Sequence, residues 1–261
     1  MIAVQNLSAG YGRRKVLQGM NLSFSAGSMT AVLGPNGSGK TTLVSSLSGV
    51  LRPIAGKVEI AGKNVCDYRP RELAGIMAVL PQKVEPAFGL TVKSMVMMGR
   101  YAHGSGFFGY DREDEYICGE AIKMIGVDHL IDRPVSELSG GEFQRVLMAR
   151  TVSQQAKIMV LDEAASGVDV AGKIELFDML KKMNLQGATI ICVIHDLNLA
   201  ALYFDRLVFL SNGKVKLDGP PAEVVTKENI SNVYKTSVSI VEHPQLSVPQ
   251  VLFSPSGDHS G

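Results

Sequence analysis

Gly34-Pro35-Asn36-Gly37-Ser38-Gly39-Lys40-Thr41 sets glycines, a lysine and a hydroxyl at the spacing G-x-x-x-x-G-K-[ST]. That is chemistry for holding phosphates. Glycines at 34, 37 and 39 let the backbone curl around an anion without a Cβ in the way, and successive N–H groups at a helix start aim positive charge inward. Lys40 is expected to reach the β- and γ-phosphates of a nucleoside triphosphate and Thr41 to ligate Mg²⁺; Pro35, Asn36, Ser38 and Thr42 complete the nucleotide-binding set. Downstream, the apolar run 157–161 ends in Asp162-Glu163. An acidic pair at a strand end is often merely solvated. Behind a phosphate loop it reads as the other half of a hydrolytic site, Asp162 holding hydrated Mg²⁺ and Glu163 polarising a water. Leu138-Ser139-Gly140-Gly141-Glu142 is a Ser-Gly-Gly turn opening a helix, so the Ser139 hydroxyl and the free N–H groups of Gly140 and Gly141 make a second anion site. Cap-and-turn chemistry alone would select the same residues.

The elements that must position these groups follow from the apolar pattern. Residues 29–33 form a short buried strand feeding the phosphate loop, and a helix opens at Thr41. Strand-like runs at 1–7, 22–24 and 56–62 suggest strands folded around the nucleotide end. From about 91 to 150 the pattern is helical: Val92, Met95, Val96 and Gly99 share a face, followed by helices over 113–125 and 142–151. Residues 101–110, rich in glycine and aromatics, read as a mobile or partner-facing loop. The runs 157–161 and 188–194 suit parallel strands buried on both faces, with a helix over 171–183 crossing between them. A strand at 207–210 and a turn at 211–214 lead to a helix-then-strand tail from Pro220, ending in a disordered 254–261.

Composition excludes several classes. Lys+Arg 26 against Asp+Glu 25 leaves a net charge of +1, with no global footprint for nucleic acid or an acidic membrane surface. The longest apolar runs fall well short of the roughly 20 residues needed to span a bilayer, and the first residues lack a secretion signal, so a cytosolic location is expected. Cys66, Cys118 and Cys192 are scattered without a C-x-x-C pair and read as small apolar residues. His103 and His243 lack clustered partners and do not read as metal ligands.

Taken together, the phosphate loop, the pentapeptide 138–142 and the strand 158–163 resemble the ATP-binding-cassette (ABC) ATPases over nearly the whole chain. The resemblance implies an α/β fold: a P-loop NTPase (RecA-like) core with an antiparallel β subdomain (1–90 and 151–219), a helical insert subdomain (91–150) and a C-terminal tail (220–261). It implies that Tyr11 stacks on adenine, that Gln82 touches Mg²⁺ and leads into the insert, and that Asp169 lies in a loop crossing a dimer interface. Asp169 also reads as an N-cap. His195 matches the histidine that senses the γ-phosphate. Ala164-Ala165 stands where the family commonly has Pro after the catalytic glutamate, and Val168 where Leu is usual; both bear on loop stiffness rather than on the reacting groups.

By the same resemblance two copies form a head-to-tail dimer, the Ser139 turn of each closing over the ATP held by the other. The chain would work with two polytopic permease subunits docked near Gln82 and residues 91–110, at the cytoplasmic face of a membrane, with an extracytoplasmic binding protein as indirect partner and no nucleic acid. Met98-Gly99-Arg100-Tyr101, residues 195–200, Asp218-Gly219-Pro220-Pro221 and the 243–251 tail resemble the iron-siderophore, haem and cobalamin importer branch. Zinc, manganese and molybdate importers share parts of this pattern. A soluble cassette protein acting on ribosomes or nucleic acid, or a P-loop kinase, is a further alternative; the first would usually carry two cassettes or a basic extension, and the second has no use for 138–142.

Overall fold

A long antiparallel hairpin begins the chain, β1 (Ile2–Tyr11) and β2 (Arg14–Phe24), turning at Gly12 with φ of 56°. The structure is a computed structural model that describes residues 1–86, 88–103 and 109–253. Register shifts after Val4, Leu7 and Ala9 interrupt the hairpin's alternation. For that reason the sequence shows only its two ends as strands. β3 (Met29–Leu33) runs through the phosphate loop into α1 (Lys40–Leu47), and β4 (Ala55–Ile60) and β5 (Lys63–Asn64) return to the hairpin. These strands make an antiparallel sheet ordered β2-β1-β4-β5. After α2 (Pro70–Ala74) comes β6 (Met77–Leu80), whose four residues are too few for a periodic signal of their own.

The helical stretch consists of α3 (Val92–Met97), α4 (Arg112–Ile125) and α5 (Gly140–Ser153). α3 tightens into a 3₁₀ turn over Met98–Ala102, so Tyr101 belongs to a helical end rather than to a loop. Residues 104–108 of the expected loop, like the tail end 254–261, lie outside the described residues. β7 (Ile158–Asp162), α6 (Val170–Leu185), β8 (Thr189–Val193), α7 (Leu197–Tyr203), β9 (Arg206–Ser211) and β10 (Lys214–Gly219) follow. The tail is α8 (Pro221–Val224), α9 (Lys227–Tyr234) and a hairpin of β11 (Val238–Glu242) with β12 (Pro249–Phe253). Helices α4, α5 and α6 start one or two residues before the apolar periodicity does, because Asp111, Ser139 and Asp169 cap them by accepting the N–H of Asp114 (2.9 Å), Glu142 (3.3 Å) and Gly172 (2.8 Å).

The main sheet has the order β10-β9-β3-β8-β7-β6, with β9, β3, β8, β7 and β6 mutually parallel and β10 antiparallel at the edge. Every residue of β3, β7 and β8 is buried. Alternate residues serve different cores. Ala31, Leu33, Met159, Leu161, Ile190 and Cys192 pack with the helices of the 91–204 stretch, whereas Val32, Val160, Ile191 and Val193 pack with α1 and the antiparallel sheet. Each fully buried aliphatic side chain contributes about 1.5–3 kcal/mol, so a sheet covered on both faces is held rigidly in register. Cys118 and Cys192 are buried as expected, but Cys66 is exposed. The parallel pairing brings the carboxyl ends of β3, β8, β7 and β6 side by side, and in open α/β sheets ligands bind at that edge.

Candidate functional site

Each of those four strand ends carries one of the singled-out segments. β3 leads into the phosphate loop, β8 into His195, β7 ends at Asp162 with Glu163 next, and β6 runs into Pro81-Gln82. Gly34, Gly37 and Gly39 have φ of 138°, 76° and 106°, conformations that side chains rarely adopt. A Cβ on Gly34 would also sit 2.1 Å from the Leu210 carbonyl oxygen, so the loop packs against β9 too closely for any other residue. Lys40 is buried, 6% exposed, and donates to the carbonyls of Gly34 (2.8 Å) and Pro35 (3.1 Å), folding back over the loop it follows. Burial pulls its pKa down, while Glu163 and Asp162 act the other way.

Glu163 is the hub of the opposite wall. Its Oε1 accepts Gln82 Nε2 at 2.7 Å and is met by His195 Nε2 at 2.7 Å. An ionised carboxylate only accepts, which assigns the proton of that second bond to Nε2. Burial pushes the Glu163 pKa up, but the His195 and Gln82 hydrogen bonds outweigh it and hold the carboxyl below its usual value. Its backbone is in the left-handed region, φ 59°, with the N–H bound to the Val193 carbonyl at 3.2 Å. That conformation is costly for a residue with a Cβ and turns the side chain toward the cavity rather than along the strand.

Asp162 behaves oppositely. It is 1% exposed and, among the described residues, neither carboxylate oxygen has a hydrogen-bond partner; burial raises its pKa, with the nearby Thr41 hydroxyl favouring the charged form. A buried, unpartnered carboxylate beside a hydroxyl is a donor set for a hard cation such as Mg²⁺. Between the two walls lies a cavity of about 550 Å³ lined by Tyr11, Asn36, Gly37, Gly39, Lys40, Thr41, Thr42, Gln82 and Glu163, together with Arg14 and Val16. Tyr11 is 53% exposed at its mouth, a free aromatic face. Arg14 and Val16 carry no motif. Only the pairing of Tyr11 with Arg14 across the β1–β2 turn brings them there.

Residues 17–166 match the ABC transporter family. This chain belongs to that family. Its members bind ATP and couple ATP hydrolysis to transport. Among relatives, the chain is 36% identical to the Iron(3+)-hydroxamate import ATP-binding protein FhuC of Bacillus subtilis, covering 96% of this chain and 94% of that one. It is 38% identical to the Hemin import ATP-binding protein HmuV of Bradyrhizobium diazoefficiens, covering 97% and 94%. An uncharacterized ABC transporter ATP-binding protein, YvrA of Bacillus subtilis, is 41% identical over 97% of this chain, which spans 58% of that longer protein. Among solved structures, an inward-facing metal-chelate type ABC transporter superposes with a TM-score of 0.81 at 26% identity, covering 97% of both chains. A dimeric bacterial ABC transporter cassette does so with a TM-score of 0.77 at 25% identity, covering 84% of this chain and 98% of that one.

The remaining ABC motif residues lie away from the cavity. Ser139, Gly140, Gly141 and Asp169 do not line it. The Ser139 hydroxyl and N–H both bond Glu142 Oε2, at 2.7 and 2.8 Å, and the Glu142 N–H returns to the Ser139 oxygen, a reciprocal capping box. Cap chemistry is therefore present at Ser139 as at Asp169, and within a single copy neither reaches the phosphate loop's cavity. Where the family commonly has Pro, Ala164 is buried and its carbonyl accepts Gln144 Nε2 at 3.1 Å, so a bond from α5 restrains the turn after Glu163.

Proposed function

We propose that this ABC ATPase energises an importer of an iron-siderophore, haem or cobalamin-type substrate through separate permease subunits. The observation that carries the hydrolytic part is the meeting of Gln82, Glu163 and His195 at 2.7 Å beside the phosphate loop. The substrate class is supported by the import functions in the names of FhuC and HmuV.

On this reading Tyr11 stacks on adenine, and the N–H groups of residues 36–42 surround the phosphates while Lys40 exchanges the Gly34 and Pro35 carbonyls for phosphate oxygens. Thr41, Asp162 and Gln82 would hold Mg²⁺, which would supply neutralisation of charge on the phosphates. Glu163 takes a proton from the attacking water as its oxygen bonds the γ-phosphorus and the bond to the ADP oxygen breaks. His195 and Gln82 position Glu163 and register whether the γ-phosphate is there. Glu163 is held below its usual pKa and is thus ionised at neutral pH, as a base must be.

A second copy supplies Ser139, Gly140, Gly141 and Asp169 to this site. In its own copy the Ser139 hydroxyl is held in the cap with Glu142 and lies outside the cavity, so to reach a partner's γ-phosphate it gives up the Glu142 carboxylate. The permease docks in a groove of about 910 Å³ that includes Val50, Leu73, Gln82, Lys83, Arg150 and Gln154, lined by α1, α2, β6 and α5. Gln82 lies in both the groove and the Glu163 cluster, so movement of a docked helix reaches the base through one side chain. No helix among the described residues is long and apolar enough to cross a membrane, which fits a peripheral subunit at the cytoplasmic face.

Pull-down of the tagged chain from detergent-solubilised native membranes tests the proposal. A polytopic permease should be recovered, with ATPase activity stimulated by its binding protein; recovery of soluble partners alone, or of RNA, would overturn the importer reading. A finer prediction concerns Asp162. Asp162→Asn removes an unpartnered buried charge, so the nucleotide-free chain should gain on the order of 1 kcal/mol, or ~2–4 °C in Tm. The same change should abolish Mg²⁺-supported turnover. Scanning calorimetry and a phosphate-release assay read the two effects, and a Tm loss together with retained turnover would sink the metal assignment.

A further inference from the structure

The family match ends at residue 166, yet the segment beyond it reaches back to the first residue of the phosphate loop. The Tyr234 hydroxyl, at the end of α9, accepts the N–H of Gly34 at 3.2 Å, a contact across 200 residues of chain. The ring packs against the core that α9 shares through Ile230 and Val233, and Lys235, with φ of 57°, ends the helix immediately afterwards. Burial raises the hydroxyl pKa to about 12, so it stays a neutral oxygen across the physiological range. The other end of the tail is fastened to α7. Asn198 accepts the Val251 N–H at 2.7 Å and donates to the Val251 carbonyl at 3.2 Å, three residues after His195.

We infer that Tyr234 is a positioning residue for ATP, holding the Gly34 peptide so that the phosphate loop keeps its anion-binding shape. The inference rests on the reading of residues 34–41 as the phosphate loop. The Gly34 carbonyl is bound by Lys40 Nζ in this structure. When Lys40 turns to a phosphate that bond is given up, while the tether on the N–H side stays. Gly34 has φ of 138° and its Cα lies against the Leu210 carbonyl, so a rotation of this peptide moves the start of the loop as a unit. Loss of the tether lowers the fraction of loops in the competent conformation, and apparent affinity falls by that fraction. Ground state and transition state share the same loop, so the loss appears in binding and not in turnover.

The test compares the full native chain with Tyr234→Phe and Tyr203→Phe. Tyr203 is a control because its hydroxyl bonds Asp178 at 3.0 Å, away from the nucleotide cavity, and its pKa is likewise raised to about 12 by burial. Tyr234→Phe should weaken ATP binding about fivefold, the worth of one hydrogen bond, with kcat within about twofold of native. Amide exchange at Gly34 should quicken by a similar factor while the β3 amides are unchanged. Tyr203→Phe should leave the ATP dissociation constant as it was. Unchanged affinity in Tyr234→Phe, equal weakening in both variants, or unaltered exchange at Gly34 would each overturn the inference. Absence of saturable ATP binding by the native chain would instead remove the phosphate-loop reading on which it rests.

Discussion

Glu163→Gln should bind ATP as the native chain does and lose about 10²–10⁴-fold in turnover, the range that a positioned general base supplies. The amide keeps the shape of the side chain and an oxygen for the His195 Nε2 proton, so the wall of the cavity survives. It cannot take a proton from water. On the proposed dimer, stopping cleavage should leave the γ-phosphate bridging the phosphate loop of one copy and the Ser139 turn of the other, and an ATP-dependent dimer should accumulate on size exclusion. Hydrolysis at the native rate would show that another group deprotonates the water. Native-like turnover is also what a merely structural hydrogen bond between Glu163 and His195, 2.7 Å apart, would give. Turnover in Glu163→Gln separates the two.

Lys40→Ala should act one step earlier, weakening ATP binding by roughly 30-fold to several-thousandfold, since removing one partner of a buried charge pair costs about 2–5 kcal/mol. In the nucleotide-free chain the lysine is buried with lowered pKa, its charge held against the Gly34 and Pro35 carbonyls. Deleting it removes two hydrogen bonds and a desolvated cation together, so the Tm should move little while affinity collapses. Titration calorimetry with ATP, beside thermal unfolding, checks both. If ATP affinity survived, Lys40 would be a cap for loop carbonyls and the phosphates would be held by backbone N–H groups alone. The two variants thus divide the cycle, one blocking entry of nucleotide and the other its cleavage.

Much of this site is legible in the chain itself. The phosphate loop declares itself because its chemistry is local: glycines at backbone conformations that side chains rarely adopt, then a lysine and a hydroxyl at the helix start. The cap readings at Ser139 and Asp169 are equally local, as each acts within its own first helical turn. The buried strands β7 and β8 announce themselves by continuous apolar runs, a direct record of burial on both faces. β6 and the middle of the β1–β2 hairpin do not, one being too short and the other interrupted by register shifts.

What the tertiary structure decided is which of these pieces meet. Gln82 and Glu163 stand 81 residues apart and His195 another 32 on, and they converge only because β6, β7 and β8 are adjacent and parallel, with Leu80 level with Leu161 and Asp162 with Val193. Arg14 and Val16 enter the cavity by hairpin pairing, and Tyr234, which belongs to no motif, reaches Gly34 by the docking of the tail. Motifs record the demands that a ligand makes on neighbouring backbone atoms, and those demands are written in consecutive residues. Contacts between distant side chains depend on sheet register and core packing, whose energy is spread over dozens of apolar residues, none of which specifies its partner alone.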